Sequence, residues 1–228
     1  MVGYIAPTLP DNFAMAIDAF VPVSGESVNI NDFKITGEGL AAGDVQIQTL
    51  SSGAATDRTF FWIPAAEAED YEMEGEGWYD YDEGIPAEDV TFADGEGFLT
   101  SNDFGEGAQI TFAGQVASGT TQVPIAENYS VGGNATPVAI DINQIVVDGD
   151  GLTAGDVQIQ TLTSGAATDR TFFWIPAAEA EDYEMEGEGW FDADEFVPAA
   201  DVSFAAGEGF LLVNGFGEGA TLTLPSVL

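Results

Sequence analysis

The sequence predicts an all-β protein made of two tandem domains, each with a β-sandwich or jelly-roll-like architecture. Three observations support this prediction: an internal repeat, apolar residues that alternate with a period of two, and short apolar runs that end in glycine-containing turns. The repeat has an offset of 112 residues (39 to 151), which is an ordinary domain size. We therefore place the domains at residues 1–116 and 117–228.

The internal repeat is strongest in the middle of each unit. Residues 39–78 return at 151–190 with two changes. The same offset gives looser identity on both sides of this block, and it places residues 12–25 opposite residues 124–137 with a faint match. Two similar domains in tandem explain this pattern better than one large domain does.

Strands are predicted wherever apolar and polar residues alternate. In residues 45–50, valine and isoleucine alternate with glutamine, as expected for a strand with one buried face. Short runs rich in β-branched and aromatic residues follow at 89–93, 97–101 and 108–116. Recurring Gly-Glu-Gly triplets supply residues that tolerate positive φ, so they suit the reversals between neighbouring strands.

One segment departs from this pattern. Residues 64–74 open with proline, are rich in alanine and glutamate, and stop before Gly75, which would suit a short helix. Against a helix, Glu72 and Glu74 would lie at the negative end of its dipole. Tyr71 also alternates with acids, as in a strand. We predict an irregular acidic loop with an extended end.

The charge of the chain limits its partners and its setting. It contains 40 acidic and 3 basic residues, for a net charge of −37. Nucleic acid and membrane surfaces both require basic patches, so neither is an expected partner, and no apolar run is long enough to span a membrane. Self-repulsion of this size favours a saline or calcium-rich, extracellular or cell-surface setting. Residues 1–10 lack the features of a signal peptide, so for an exported protein we expect that the signal peptide has already been removed.

Residues that catalyse reactions are scarce. The chain has no His and no Cys, which excludes imidazole bases, Ser-His-Asp and Cys-His devices, the usual zinc sites and disulfides. Lys34 is replaced by Val146 in the second unit, so it is no part of a repeated mechanism. Arg58 and Arg170 each follow an aspartate, and a local ion pair at a turn is their simplest role. We predict that the protein is not an enzyme.

The copied segment EAEDYEMEGEGW is the candidate metal site. Calcium prefers several oxygen ligands from closely spaced carboxylates, and glycines between the acids give the loop flexibility. The alternative is a solvated acidic face that attracts cations loosely. The candidate ligands are Glu72, Glu74, Glu76, Asp80 and Asp82 in the first unit, and Glu184, Glu186, Glu188, Asp192 and Asp194 in the second.

Aromatic residues beside this segment suggest carbohydrate binding as a further candidate. Trp78 is followed by Tyr79 and Tyr81, which would form an exposed platform for the face of a sugar. In the second unit only the tryptophan, Trp190, is kept. The alternative is that both tryptophans pack under the acidic loop.

Several short motifs resemble a group of uncharacterised secreted bacterial proteins with tandem β-domains. That group has a leading Val-Gly-Tyr segment and hairpins with a Gly-x-Gly-Phe motif. The resemblance covers most of the chain, and it implies export and a β fold without a known activity. The matching residues are Val2-Gly3-Tyr4, Ile30-Asn31-Asp32-Phe33, Gly77-Trp78-Tyr79, Gly95-Glu96-Gly97-Phe98 and Ile110-Thr111-Phe112, with Ile142-Asn143, Gly189-Trp190, Gly207-Glu208-Gly209-Phe210 and Leu222-Thr223-Leu224 in the second unit.

These observations favour an extracellular structural protein, a filament or surface-layer subunit that joins head to tail into a homopolymer. If the contact between the two units is favourable, the same surfaces recur at the two ends of the chain and would extend the polymer. Duplication without assembly is the competing explanation, and a calcium-assisted carbohydrate-binding or adhesion module is the alternative function. The predicted assembly residues are Val2, Gly3, Tyr4, Ile5, Leu222, Thr223, Leu224 and Val227.

Overall fold

The computed structural model describes residues 2–18, 20, 27–50, 58–88, 90–93, 95–105, 107–116, 119–162, 170–217 and 219–226. Within them the chain is all-β, and its strands form several small antiparallel sheets. The prediction of an all-β fold is confirmed. The helical segments of the described residues are four 3₁₀ turns: Ile30–Asp32, Ala68–Tyr71, Ile142–Gln144 and Ala180–Tyr183.

The first half of the chain, residues 2–116, contains a six-stranded sheet in the order β2-β10-β5-β6-β7-β8, a three-stranded sheet β1-β11-β4 and a two-stranded sheet β3-β9. All pairings between these strands are antiparallel. The strands are β1 (Val2–Ile5), β2 (Asn12–Ile17), β3 (Val28–Asn29), β4 (Lys34–Thr36), β5 (Val45–Gln48), β6 (Thr59–Ile63), β7 (Gly77–Asp80), β8 (Ile85–Pro86), β9 (Thr91–Phe92), β10 (Gly97–Asn102) and β11 (Gln109–Gln115).

The second half, residues 119–226, repeats this arrangement strand for strand. Its sheets have the orders β13-β21-β16-β17-β18-β19, β12-β22-β15 and β14-β20. The strands are β12 (Thr121–Pro124), β13 (Asn128–Gly133), β14 (Ile140–Asp141), β15 (Val146–Asp148), β16 (Val157–Gln160), β17 (Thr171–Ile175), β18 (Gly189–Asp192), β19 (Val197–Pro198), β20 (Ser203–Phe204), β21 (Gly209–Asn214) and β22 (Thr221–Leu224).

Two hydrophobic clusters divide in the same way as the sheets. One draws its buried residues from 9–112 and the other from 123–224. The predicted alternation places them there: in β5, Val45 and Ile47 are buried, and the glutamines between them are half-buried on the opposite face. Because successive strand side chains point to opposite faces, each sheet buries one apolar side.

Aromatic rings fill the centre of the first cluster. Phe33 lies 5.3 Å from Phe98 and 5.3 Å from Phe112 between ring centroids. Trp62 and Trp78 meet edge to face at 5.4 Å, and Trp174 and Trp190 repeat this contact in the second half. Edge-to-face contacts are favoured by the ring quadrupole, so these pairs add to the burial of apolar area.

The acidic segment 64–74 contains more regular structure than predicted. Ala68–Tyr71 form a 3₁₀ helix, and Glu72 ends it in the left-handed conformation with φ of 57°. Its N–H donates back to main-chain oxygens of this turn. The prediction of an irregular loop was therefore incomplete, because a single turn is too short to give a helical hydrophobic period.

The repeat changes its offset near the N-terminal end of each half. Asn102 and Asn214, which occupy equivalent places in β10 and β21, are 112 residues apart. Their strand partners are Asn12 in β2 and Asn128 in β13, which are 116 residues apart. The connection from β2 to β3 is therefore four residues longer than its counterpart from β13 to β14.

The match of residues 12–25 with residues 124–137 is consequently wrong by four positions. In the correct register, Asn12 and Asn128 coincide, and both adopt left-handed conformations, with φ of 68° and 66°. Asparagine is among the residues that tolerate this conformation. The sequence signal for the correct register is an acid, an asparagine and an aromatic residue in succession, at 11–13 and 127–129.

The two halves pack together through equivalent strands. β2 contacts both β13 and β21, and β13 contacts both β2 and β10. A Cβ atom added at Gly97 would lie 2.6 Å from a methyl of Val131, and one added at Gly209 would lie 2.7 Å from the carbonyl carbon of Met15 and 2.7 Å from the nitrogen of Ala16. Gly97 and Gly209 are equivalent positions, and so are Met15 and Val131. The contact is therefore reciprocal, as in a dimer with twofold symmetry.

Ile17 and Gly133 lie at the approximate twofold axis. They are equivalent residues in β2 and β13, and they face each other, because a Cβ atom at Gly133 would lie 2.6 Å from Cγ2 of Ile17. Near a twofold axis, a residue meets its own equivalent. Two isoleucines would overlap at this position. The large side chain of Ile17 fits because its equivalent, Gly133, has no side chain.

We predict that Gly209→Ala destabilises the protein, because its new methyl group would overlap the main chain of β2 in the other half. Overpacking of this kind costs about 1–3 kcal/mol. The melting temperature should fall clearly. Gly187→Ala is the control, since its Cβ atom would meet nothing within 4 Å. Equal melting temperatures for the two variants would contradict the close approach of the halves.

Candidate functional site

The copied acidic segment divides into exposed and buried carboxylates. Glu72, Glu74 and Glu76 are exposed, and their counterparts Glu184, Glu186 and Glu188 are exposed as well. They lie on the turn between β6 and β7, or between β17 and β18. This part of the segment is an acidic surface in contact with solvent.

Asp80 has a different environment, since its side chain is fully buried at the end of β7. Its Oδ2 atom accepts hydrogen bonds from Arg58, with Nε at 2.8 Å. Its Oδ1 atom accepts from the main-chain N–H groups of Asp82 at 2.9 Å and Glu83 at 3.0 Å. Both oxygens are occupied, so Asp80 holds an arginine and a turn in place of a cation.

Asp192 repeats this arrangement in the second half. It accepts hydrogen bonds from Arg170, with Nε at 3.0 Å, and from the main-chain N–H groups of Asp194 and Glu195. Burial disfavours the charged form, but the Arg170 hydrogen bond, the two main-chain donors and the attraction of the guanidinium outweigh it and lower the pKa of Asp192. Each arginine forms an ion pair, as predicted, but the aspartate partner lies at the end of the neighbouring strand and not in the same turn.

Asp82 and Asp194, the last two predicted ligands, are exposed. Each accepts a main-chain N–H from the neighbouring strand, Thr59 at 3.0 Å and Thr171 at 3.1 Å. Among the described residues, no group of three or more acidic side chains is arranged to hold a metal ion. Calcium binding at the exposed glutamates stays a prediction.

The tryptophans proposed for sugar stacking are core residues. Trp78 and Trp190 are both 0% exposed. Their indole Nε1–H groups donate to the main-chain oxygens of Phe33 at 2.9 Å and Ile145 at 2.8 Å. Their place in a carbohydrate platform is wrong, because the apolar strand around each ring and the internal acceptor keep it inside. Trp62 is buried as well.

Other rings form a patch on the outer face of the first six-stranded sheet. We call it the aromatic patch, and it comprises Phe61, Tyr71, Tyr79 and Tyr81. Phe61 lies 5.4 Å from Tyr79 and 5.8 Å from Tyr81 between ring centroids, and Tyr71 lies 5.2 Å from Tyr79. Tyr81 is 67% exposed. Of the predicted platform, Tyr79 and Tyr81 thus lie in a surface cluster, whereas Trp78 does not.

The second half closes the corresponding cluster. Phe191 replaces Tyr79 and is buried, and Ala193 replaces Tyr81. Phe191 joins a small hydrophobic cluster with Ile175 and Ala180. The two halves therefore differ in the exposure of this patch, although their preceding 40 residues are nearly identical.

The predicted assembly residues occupy two kinds of strand. Leu222, Thr223 and Leu224 lie in β22, which pairs with β12 on one side and with β15 on the other. A strand with both edges occupied has no free main-chain groups for a further strand. Val227 lies outside the described residues.

β1 is an edge strand that pairs only with β11 within the described residues. It contains the predicted assembly residues Val2, Gly3, Tyr4 and Ile5. Ile5 packs against the core, whereas Tyr4 points outward and is 75% exposed. Other edges carry protective features: β8 and β19 end in proline, and β4 begins with Lys34. β1 contains neither proline nor a charged residue, and no strand of the described part of the chain pairs with its second edge.

The sheet that contains β1 is free of acids, a feature that our sequence prediction missed. We call β1, β11 and β4 the acid-free sheet, because none of these strands contains Asp or Glu. The signal in the sequence is the spacing of acids: residues 1–10 and 107–126 contain none, in a chain with 40. The one charged residue in these strands is Lys34, which pairs with the uncharged Thr111 of β11.

Comparison with protein-family models, with curated proteins and with solved structures finds no match. Among the described residues, no helix has the length and apolar character needed to cross a membrane.

We predict that Asp192→Asn lowers the free energy of unfolding at pH 7 by about 1–3 kcal/mol, because Arg170 then loses its buried charged partner. The pKa of Asp192 is lowered by folding, so its contribution is present above the unfolded value of about 4 and is lost as the pH falls through the lowered pKa. The difference from the natural chain should therefore shrink in acid, as measured by denaturant unfolding at several pH values.

The control is Asp194→Asn, which changes an exposed carboxylate two residues away. It should alter stability by much less at pH 7. A difference for Asp192→Asn that stays constant into strong acid would show that the lost interaction is not ionic.

Proposed function

We propose that the protein is an extracellular structural subunit that associates with copies of itself, and that its halves are tandem β-sandwich domains, residues 1–116 and 117–228. The division of sheets and of hydrophobic clusters between the halves supports the two domains. The observation that carries the function is the open edge of β1 in the acid-free sheet. We propose no catalytic role, no nucleic-acid partner and no membrane insertion.

Charge selects the surface through which copies meet. A net charge of −37 makes most approaches between two copies repulsive at low salt. The acid-free sheet is a place where two copies approach without bringing carboxylates together. Its open edge supplies main-chain donors and acceptors, and Tyr4 supplies exposed apolar area.

The contact between copies differs from the contact between halves. Head-to-tail growth by repeating the internal contact would require different surfaces on the two halves. The internal contact instead uses equivalent surfaces. The surface formed by β2 and β10 in the first half packs against the surface formed by β13 and β21 in the second, and both are buried by this contact. Copies therefore join elsewhere, and we place this contact at β1, paired antiparallel with β1 of a second copy.

Growth from such a pair into a filament or surface layer requires another contact, and calcium is our candidate for it. The exposed glutamates around Glu72 and Glu184 give no three-acid site within the described residues of one chain. Calcium prefers six to eight oxygen ligands, so acids from two copies together would coordinate it better than acids from one. We expect pairs in sodium chloride and larger assemblies in calcium at matched ionic strength.

We predict that Tyr4→Glu weakens association between copies by at least about tenfold, equivalent to about 1.4 kcal/mol. The change puts a carboxylate on the outer face of β1, and folding should persist because the side chain is 75% exposed. Sedimentation equilibrium measures the dissociation constant, and electron microscopy in calcium shows the assemblies.

Thr120→Glu is the matched control. Thr120 is exposed, directly precedes β12 and corresponds in register to Tyr4, so the variant adds the same charge at the start of the other three-stranded sheet. It should leave association largely unchanged. A natural chain that stays monomeric at high concentration in both salts would disprove the structural function, and equal effects of both variants would move the contact away from β1.

The aromatic patch supports a second candidate function, carbohydrate binding in an adhesion module. Its rings contact one another on the outer face of the sheet. Gln46 of β5 lies beside Phe61 of β6 on the same face. Partly exposed rings with polar neighbours suit the apolar face and the hydroxyl groups of a sugar. The patch belongs to the first half alone, since Ala193 replaces Tyr81 in the second.

We predict that any glycan binding falls by about tenfold in Tyr81→Ala, which gives the first half the residue of the second. Phe196→Ala removes a ring that is 79% exposed in the second half and should not change binding. The measurement is titration of soluble polysaccharides. Binding that is insensitive to Tyr81→Ala would exclude the patch as the site.

A further inference from the structure

A groove of about 1020 Å³ lies where the two halves meet beside β2. One wall comes from residues 7–11 of the first half, and the other comes from residues 161–162 and 205–209 of the second. Its floor includes Ala14, Met15 and Ala16 of β2. The groove therefore runs along an edge strand of the first six-stranded sheet.

The second half already occupies one end of the β2 edge. The Ile17 N–H donates to the main-chain oxygen of Gly207 at 3.1 Å, and Ala16 forms an isolated antiparallel bridge with Glu208. This short pairing is an addition of strand-like backbone to β2. Closer to Asn12, the same edge of β2 borders the groove and not the second half. The edge that could pair with a strand therefore extends beyond the part that pairs with the second half.

Main-chain direction in β2 shows which groups face the groove. In an antiparallel ladder, alternate residues direct both main-chain groups to the same neighbour. Because the Ile17 N–H points to the second half and away from β10, Met15 and Phe13 have the same outward direction. The bridge between Ala16 and Glu208 already engages the Met15 oxygen, so the outward groups that remain for a further strand begin at the Met15 N–H and continue at Phe13.

The lining defines the side chains that such a strand would carry. Pro7, Leu9 and Leu162 give the groove apolar walls, and Met15 adds an apolar side chain to its floor. The described lining residues include two acids, Asp11 and Glu208, and no base. Apolar side chains therefore fit the walls, and basic side chains complement the acids.

Glu208 is the lining acid at the end of the groove where the second half pairs with β2. Its Oε2 atom accepts a hydrogen bond from the Ala205 N–H at 2.7 Å. Desolvation raises the pKa of Glu208 despite this hydrogen bond. Because Glu208 is an exposed residue, a cationic side chain in the groove can reach its carboxylate, and Lys34, Arg58 and Arg170, the bases of this chain, are not among the lining residues.

We propose that this groove binds an extended peptide of alternating apolar and basic residues, which pairs with the outward edge of β2 as an additional strand. The main-chain hydrogen bonds supply affinity, and the walls and the two acids select the side chains. The site continues the contact between the halves, and it is separate from β1 and from the aromatic patch.

The test uses the full chain and a fluorescein-labelled nonapeptide that alternates valine and lysine. Fluorescence anisotropy at physiological salt measures its dissociation constant. The first comparison is the same peptide with alternate main-chain amides N-methylated, which keeps charge and composition but removes strand pairing. We expect it to bind at least about tenfold more weakly. A peptide with glutamate in place of lysine should not bind.

Two variants locate the site. Glu208→Gln should weaken the valine-lysine peptide by about three- to tenfold. Glu96→Gln is the matched control, because Glu96 is the equivalent residue and caps the same turn through the Ala93 N–H at 2.9 Å. Met15→Pro removes an outward donor of β2 and should weaken binding further, with thermal melting as the check of folding.

Three results would overturn the proposal. The first is no measurable binding of the valine-lysine peptide. The second is equal affinity of the N-methylated peptide, which would show attraction by charge alone. The third is an equal loss of affinity in Glu208→Gln and Glu96→Gln, since both would then reflect the net charge of −37 and not the groove.

Discussion

The close approach of β2 and β13 determines how the rest of the molecule is organised. It requires glycine at Gly97 and Gly209, where any side chain would overlap the partner half. Ile17 and Gly133 face each other at the approximate axis, and the contact also requires that one of these two residues be small. Because the contact is reciprocal, it closes on itself and consumes the same surface on both halves. Among the residues that the structure describes, the groove beside β2 and the second edge of β1 are left without a strand partner.

Charge is the second constraint, and the fold handles it by position. The exposed glutamates sit on turns, where water and ions screen them. Each fully buried carboxylate of the β7 and β18 strands, Asp80 or Asp192, receives an arginine and two main-chain donors. Leaving one such acid unpaired would cost several kcal/mol, so two of the three bases of the chain are used in this way. Carboxylates are kept out of the acid-free sheet altogether.

Sequence patterns were sufficient for the all-β fold and for most strands, because alternation and glycine turns are local signals. Buried Val45 and Ile47 follow directly from them. The site was harder. Asp80 and Glu72 look alike in a row of acids, and only the pairing of β6 with β7 brings Arg58 to one of them. The reciprocal contact was also hidden, because a four-residue shift in offset concealed that Met15 and Val131 are equivalent.

The distribution of identity between the halves has a physical explanation in this arrangement. Residues 39–78 and 151–190 hold β5, β6 and the start of β7, or β16, β17 and the start of β18, with the tryptophan pair and the arginine of the arginine–aspartate pair of each half. These features depend on contacts within one half, so the same residues serve both copies. β2 and β13 meet each other near an axis, where identical side chains would meet their own equivalents. Divergence there, with isoleucine opposite glycine, is what the packing of two copies in one chain requires.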